Sequence, residues 1–448
     1  MLTLIKNVKL VLHGNEVTEA SIVVEDGKVG AVVKTYDYLS KYDTVVDGSG
    51  LLAIPGGIDI HAHIHDPQYL HHEDFESGSV AALYGGITTF FDMPLRTYVE
   101  DRQSLEVKVD AGLKMSYVNF SVIAGMMNER NVSKVPVLRD LGVKAFKTFT
   151  CRPFKPESDG GLALVLSEVS RYGGVNVIHA EDDSIPEYLM SKFRGEGRND
   201  PLAYHESRPD VVEGIALNKV LSLTSFLNVK EGVHIAHLSS ALGLKEIVKA
   251  KSEGINVTSE VTPHHLFFTK EDVKKLGNYL KLAPTLKTRD DVMALWQGLA
   301  RGFIESVASD HAPATKEEKE VDTWSAWGGI PNLETMLPLV FTLGFKKLSL
   351  LTLKRFIEVT SENPAKIMGL YPAKGSLSVG SDADITLLDV NKCFKVKADA
   401  LHHKVDWTPY EGVEMCGWPR KVFVNGLLVL DEGNVITENR KPKYLRIV

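Results

Sequence analysis

The sequence predicts an α/β protein: a (β/α)8 barrel of the TIM type, with a small β-sandwich domain formed by the N- and C-terminal segments. Three observations predict it. Eight short apolar runs alternate with amphipathic helical stretches through the middle of the chain, strands broken by turn residues occupy both ends, and five of the eight runs finish near a residue that can hold a metal ion.

At the N-terminal end, Ile5 to Leu12 and Ala20 to Val24 read as strands, divided by the turn signals His13-Gly14-Asn15 and Glu25-Asp26-Gly27. The same texture returns after residue 373, in Asp382 to Leu388 and Lys421 to Val429. Neither end has strands enough for a stable sheet alone, so residues 1–53 and 373–448 are expected to pair into one domain beside a barrel of residues 54–372. The barrel strands are expected near Ile54 to Ile60, Thr88 to Met93, Val118 to Ala124, Val143 to Phe149, Val175 to Ile178, Val233 to Ala236, Ile255 to Ser259 and Ile304 to Ser309. A segment of roughly 310 residues accommodates eight such units, since a barrel of this kind takes about 250 plus insertions. A doubly wound open sheet is the alternative.

Composition narrows the function. With 448 residues, 44% hydrophobic and 24% charged, the chain can bury a large core and a second, smaller one. A net charge of -7 without a long basic run argues against nucleic acid as a partner. The start lacks a secretory core and no long uncharged apolar stretch follows, so a cytoplasmic protein away from membranes is expected. Only three cysteines occur, Cys151, Cys393 and Cys416, widely spaced, which argues against a disulfide framework and a cysteine zinc site. Any metal must then use His, Asp, Glu or Lys.

Barrel active sites gather at the C-terminal ends of the strands. There the sequence offers His61-Ala62-His63, Lys147, His179, His237 and Asp310. Residues i and i+2 of a strand point the same way, so His61 and His63 can share one cation. Each also has a plain reading. His179 and His237 could be satisfied core histidines, Asp310 a helix cap, and Lys147 half of a buried ion pair. His65, His71 and His72 could be a solvated loop, His311 a support for Asp310, and Trp324 with Trp327 either a wall over the substrate or core. One of His264 and His265 could face the substrate while the other packs. A phosphate-binding barrel is disfavoured, because Glu260, Pro263 and Asp310-His311 stand where a glycine-rich cradle would be needed.

The motifs Pro55-Gly56-Gly57-Ile58-Asp59-Ile60-His61-Ala62-His63, Gly85-Gly86-Ile87-Thr88-Thr89, Val143-Lys144-Ala145-Phe146-Lys147, His179-Ala180-Glu181, His237-Leu238-Ser239, Thr262-Pro263-His264-His265, Ser309-Asp310-His311-Ala312-Pro313 and Gly380-Ser381-Asp382-Ala383-Asp384 follow one another over nearly the whole chain. In that order they resemble the cyclic amidohydrolases of the amidohydrolase superfamily, the group of dihydroorotase, allantoinase and dihydropyrimidinase (hydantoinase). The resemblance implies a hydrolase opening C–N bonds of cyclic amides with two divalent metal ions, zinc first, with manganese, cobalt or iron as alternatives. It implies that His61, His63 and Asp310 hold one ion, His179 and His237 the other, and a carbamylated Lys147 bridges them. A metal-bridging hydroxide would attack the ring carbonyl, with Asp310 moving the proton. It further implies a homo-oligomer, dimer or tetramer. Some relatives keep the barrel as a non-catalytic scaffold, which the complete ligand set here opposes.

Dihydroorotases of this group hold a substrate carboxylate with an Arg, an Asn and a His, where this chain has His65, Leu95 and Ala314. A hydantoin or ureide ring, allantoin included, therefore ranks first, with dihydropyrimidine or dihydroorotate after it. The segments Asp92-Met93-Pro94-Leu95, His71 to Gly78 and Ala326 to Ile330 are locally more similar to allantoinase, although Arg96 departs from it. Substrate contacts are expected from His65, Arg152 and the groups around Ala283, Ile330 and Asn332.

Overall fold

The computed structural model describes residues 1–11, 15–34, 41–230 and 232–447. The expected turn at His13-Gly14 lies outside them. A mixed sheet, nine-stranded among the described residues, draws on both chain ends. Its N-terminal strands are β1 (Leu2–Val11), β2 (Val17–Glu25), β3 (Lys28–Val33), β4 (Thr44–Asp47) and β5 (Leu52–Pro55). The hairpin of β2 and β3 turns at Asp26 and Gly27, both at positive φ, as the turn signal implied.

The barrel strands are β6 (Gly57–Ala62), β7 (Ile87–Asp92), β8 (Asn119–Val122), β9 (Ala145–Phe149), β10 (Val175–His179), β11 (Val233–Ile235), β12 (Val257–Val261) and β13 (Ser306–Val307). They pair in parallel as β6-β7-β8 and β9 through β13. Parallel bridges Ala124–Phe146 and Ala62–His311 join the two arcs into a closed barrel. The C-terminal strands β14 (Ile385–Lys395), β15 (Glu414–Val424), β16 (Leu427–Asp431) and β17 (Asn434–Val435) complete the mixed sheet.

The first expected strand, 54–60, is in fact two. Ile54 and Pro55 pair antiparallel with β14, and the barrel begins only at Gly57. Gly56 marks the crossing: a Cβ there would fall 2.2 Å from Thr88 Oγ1, so the residue admits no side chain. The cysteine expectation is also corrected. Cys393 and Cys416 stand opposite each other on β14 and β15 and form a disulfide, leaving Cys151 buried and free. Between β14 and β15 the chain leaves the sheet to pack on the barrel, where Trp407 Nε1 donates to Ala314 O at 2.7 Å. Among the described residues no helix is long and apolar enough to cross a membrane.

Candidate metal centre

The end of the barrel where the strands finish is held in register by buried polar ties. Asp59, early in β6, accepts hydrogen bonds from the Ser309 amide at 3.0 Å, the Ser309 hydroxyl and the His61 amide at 3.1 Å. It thereby fixes β6 against the segment that carries Asp310. Burial pushes its carboxyl up to about 7 against those hydrogen bonds. Lys108, itself buried, reaches from helix Arg102–Met115 to Asp92 at 2.7 Å and to the carbonyls of Ile64 and Asp66, which pins the chain just beyond His63.

His61 Nδ1 lies 2.5 Å from Glu260 Oε1, and the other Glu260 oxygen meets His234 Nε2 at 3.0 Å. His63 Nδ1 lies 3.1 Å from the Met93 carbonyl. Each Nδ1 faces an acceptor and therefore carries the ring proton, so each Nε2 presents a lone pair. Both Nε2 atoms point at one oxygen: Asp310 Oδ1 is 3.2 Å from His61 and 3.4 Å from His63. Three lone-pair donors thus converge with no proton assigned between them, which is the environment of a cation. Burial raises the Asp310 carboxyl, but the adjoining His61 and His63 rings outweigh it and hold it well below the usual carboxylate range.

His179 and His237 form the second half. His179 Nδ1 and His237 Nε2 are 2.9 Å apart, and His179 Nε2 bonds Glu181 at 3.0 Å, which in turn meets Arg208 at 3.2 Å. His237 Nδ1 has no hydrogen-bond partner among the described residues. Lys147, third of the five residues of β9, is 1% exposed, and its amine likewise lacks a partner among the described residues. Burial lowers its pKa to about 8, partly opposed by the charges of Glu260 and Asp310. The ion-pair reading of Lys147 thus finds no partner. His237 (φ 38°) and Asp310 (φ 46°) also sit in the left-handed backbone region, a cost of about 1–3 kcal/mol each that concentrates at functional sites.

All six of these residues line one cavity of about 160 Å³, with Leu95, Phe149, Phe154, Leu282, Ala283, Ala312, Gly328 and Gly329. Of the expected substrate contacts, only Ala283 is in that lining. His65 is buried between His63, His72 and Trp327. Arg152 lies outside and 60% exposed, bound to Asp183 at 2.9 Å and Glu187. Ile330 and Asn332 are buried behind the wall, where the Ile330 carbonyl accepts from the Ala312 amide at 3.0 Å and Asn332 Nδ2 donates to Ser309 O at 2.9 Å. Gly328 and Gly329 take their place. His265 is the packed member of its pair, satisfied by Thr262 and Pro284 O. His264 faces Asn332 and keeps a free Nε2 among the described residues. His311 bonds Glu73 at 2.9 Å and accepts the Asn332 amide, supporting the backbone on both sides of the cavity. Lys108, Phe154 and the pairing of Glu260 with both His61 and His234 are contributions that the strand-end pattern does not disclose.

The chain resembles known enzymes over nearly its whole length. A dihydroorotase of Methanosarcina mazei is 35% identical over 98% of this chain and 97% of its own. An L-hydantoinase of Paenarthrobacter aurescens is 34% identical over 97% and 96%. The solved L-hydantoinase (dihydropyrimidinase) from Arthrobacter aurescens superposes with a TM-score of 0.93 at 32% identity, covering 99% of both chains. Residues 52–429 match the amidohydrolase family, and the chain belongs to it.

Proposed function

We propose that this protein hydrolyses the amide bond of a small neutral cyclic amide, with a hydantoin or ureide ring as the preferred substrate. The observation that carries the proposal is the convergence of His61 Nε2, His63 Nε2 and Asp310 Oδ1 with Lys147, His179 and His237 in one cavity. His61, His63 and Asp310 would hold one divalent ion, and His179 and His237 the other. The free donors fit such ions: Asp310 is ionised, the imidazoles offer lone pairs, and zinc, manganese, cobalt or iron suit imidazole–carboxylate sets. Lys147 would serve as a further ligand once carbamylated. A buried, unpaired amine with a pKa near 8 is partly neutral at physiological pH, and the neutral amine forms an N–C bond to carbon dioxide and releases one proton to solvent, leaving an anionic oxygen donor. When bound, a metal pair supplies hydroxide at neutral pH and polarises a carbonyl.

The remaining work belongs to the side chains. Asp310, 13% exposed and facing the cavity, takes up a proton at its carboxylate and returns it to the departing ring nitrogen. Glu260 and the Met93 carbonyl keep the two imidazoles in the tautomer that leaves Nε2 free. The backbone at Ala283 and Gly328-Gly329 borders the ring, and Phe149 and Phe154 exclude water from it. The volume is below the roughly 300–1,000 Å³ of pockets for drug-sized ligands, in keeping with a single small ring.

Leu95, Leu282, Ala312 and the two phenylalanines offer a carboxylate no partner, and no arginine lines the cavity among the described residues. A buried carboxylate without partners is costly, which ranks dihydroorotate as the lesser reading. Its support is the sequence similarity to a dihydroorotase, matched by that to a hydantoinase. Ring opening of hydantoin, allantoin, dihydrouracil and dihydroorotate, measured side by side with added zinc or manganese, should favour the first two. Fast turnover of dihydroorotate overturns the ranking. The reading also includes a cytoplasmic homo-oligomer and a division into a barrel of residues 54–372 and a domain of residues 1–53 with 373–448; the pairing of β5 with β14 supports joining the two ends but carries that domain on to Pro55.

A further inference from the structure

A second group of potential ligands lies outside that cavity, where the loop leaving β6 meets the short helix Lys316–Lys319 that follows Asp310. His72 Nε2 is 2.6 Å from Glu318 Oε2, and His71 Nε2 is 3.9 Å from Glu318 Oε1. One ligand atom from each of the three falls within 4.8 Å of the others. Glu318 Oε2 also accepts the Thr315 amide at 3.0 Å as part of the helix cap, while Oε1 faces His71.

A plain His72–Glu318 hydrogen bond explains little of this. It makes Nε2 the protonated nitrogen, so Nδ1 becomes a bare lone pair in a side chain that is 0% exposed. Nδ1 of His72 and both nitrogens of the neighbouring His65 lack hydrogen-bond partners among the described residues. The two rings meet edge-on at 5.0 Å between centroids. Buried polar atoms are rarely left so. If His72 Nε2 instead gives its lone pair to a cation, Nδ1 carries the proton beside the edge-on His65 ring, whose two nitrogens lie beyond hydrogen-bond distance.

We propose that His71, His72 and Glu318 bind a further divalent cation of the zinc class, separate from the deep cavity. Two imidazoles and a carboxylate suit zinc, cobalt or nickel over calcium or magnesium. Tetrahedral zinc places its ligands roughly 3.3 Å apart. His71 must therefore close by about half an ångström, which its 57% exposure permits, the 2.6 Å His72–Glu318 pair must open by about 0.7 Å through a turn of the part-exposed Glu318, and water completes the shell on the open side. The neighbouring Arg96 lies over the face of Trp327, 5.0 Å from its centroid. Binding would tie the β6 loop to the cavity wall, because the Trp327 amide donates to Glu318 O at 2.9 Å and Gly328 and Gly329 line the cavity.

Full-length protein is loaded with zinc, stripped of loosely held metal by gel filtration, and its zinc counted per chain. His71→Ala and Glu318→Gln are treated alike. Each variant is expected to hold one equivalent fewer than the parent, and cobalt-loaded parent should show visible absorption that His71→Ala lacks. Equal zinc in the parent and both variants overturns the proposal. His71 is exposed, so its loss does not threaten the fold. All three chains share the deep cavity, so a cavity that binds no metal lowers every count and leaves the difference of one equivalent intact.

Discussion

At the end of the barrel where the β domain docks, the buried carboxylate of Asp384 meets the Asn119 amide group at 3.2 Å, the Asn425 backbone amide at 2.6 Å and the Lys374 ammonium. At the opposite end, Lys147 is as buried as Lys374 yet meets no hydrogen-bond partner among the described residues. The two lysines respond oppositely. Burial lowers both, but Asp384 and Asp382 reverse the effect on Lys374 and raise it, while Lys147 falls to about 8. The difference teaches where this molecule uses burial to fasten its domains and where it tolerates instability for chemistry. The left-handed His237 and Asp310 belong to the second place.

Asp310→Asn should give the largest effect. Asn tolerates the positive φ of this position, so the fold is retained while the proton carrier is lost. The expected fall in kcat/KM is about 10²–10⁴-fold, with unchanged circular dichroism. Activity near that of the parent would mean that the strained end of the barrel serves packing after all.

Paired Lys→Met substitutions test the comparison itself by urea unfolding of metal-free protein. Lys374→Met leaves Asp384 buried without its counter-charge and should destabilise by about 3–5 kcal/mol. Lys147→Met removes an unsatisfied amine from an apolar setting and should stabilise by about 1–3 kcal/mol while abolishing turnover. Losses of stability in both would erase the distinction between the two ends.

The pH dependence follows with a definite sign. Lys147 has a folded pKa of about 8 against an ordinary 10.5, so between these values the unfolded chain binds a proton that the folded chain does not. Stability of the metal-free protein should therefore rise with pH across that window, by at most about 3 kcal/mol from this group, and Lys147→Met should lack that component. Lys374 acts in the other direction. Its contribution is present below pH 10.5 and is lost only as pH passes its raised folded value.

The eight barrel strands were legible because strands buried on both faces read as continuous apolar runs, and their ends because His, Lys and Asp stand out against that background. The same uniformity hid where one sheet gives way to another. From Leu52 to Ile58 no charged residue breaks the run, and the change of partner falls at Gly56, where a side chain would collide with Thr88. The Cys393–Cys416 pairing depends on the register of β14 against β15, which spacing does not disclose. Glu260 was visible as a residue, but its role requires His61 and His234 to arrive from two other strands. His264 and His265 were separable only once Thr262 capped their helix and turned one ring onto Pro284.

Arg152 carries the smallest expected effect and bears most directly on the substrate. The sequence suggested it as a substrate contact, yet its guanidinium lies among Asp183 and Glu187 at 60% exposure, away from the cavity lining. Exposed pairs of this kind contribute about 0–1 kcal/mol, so Arg152→Ala should keep kcat/KM for hydantoin within about fivefold of the parent. A much larger loss, confined to KM, would mean that Arg152 leaves its two carboxylates and reaches the substrate when the cavity fills. The cavity would then own a cation after all, the unpartnered-carboxylate argument against dihydroorotate would fail, and the two ends of the barrel would differ less in how they treat buried charge than in when they pair it.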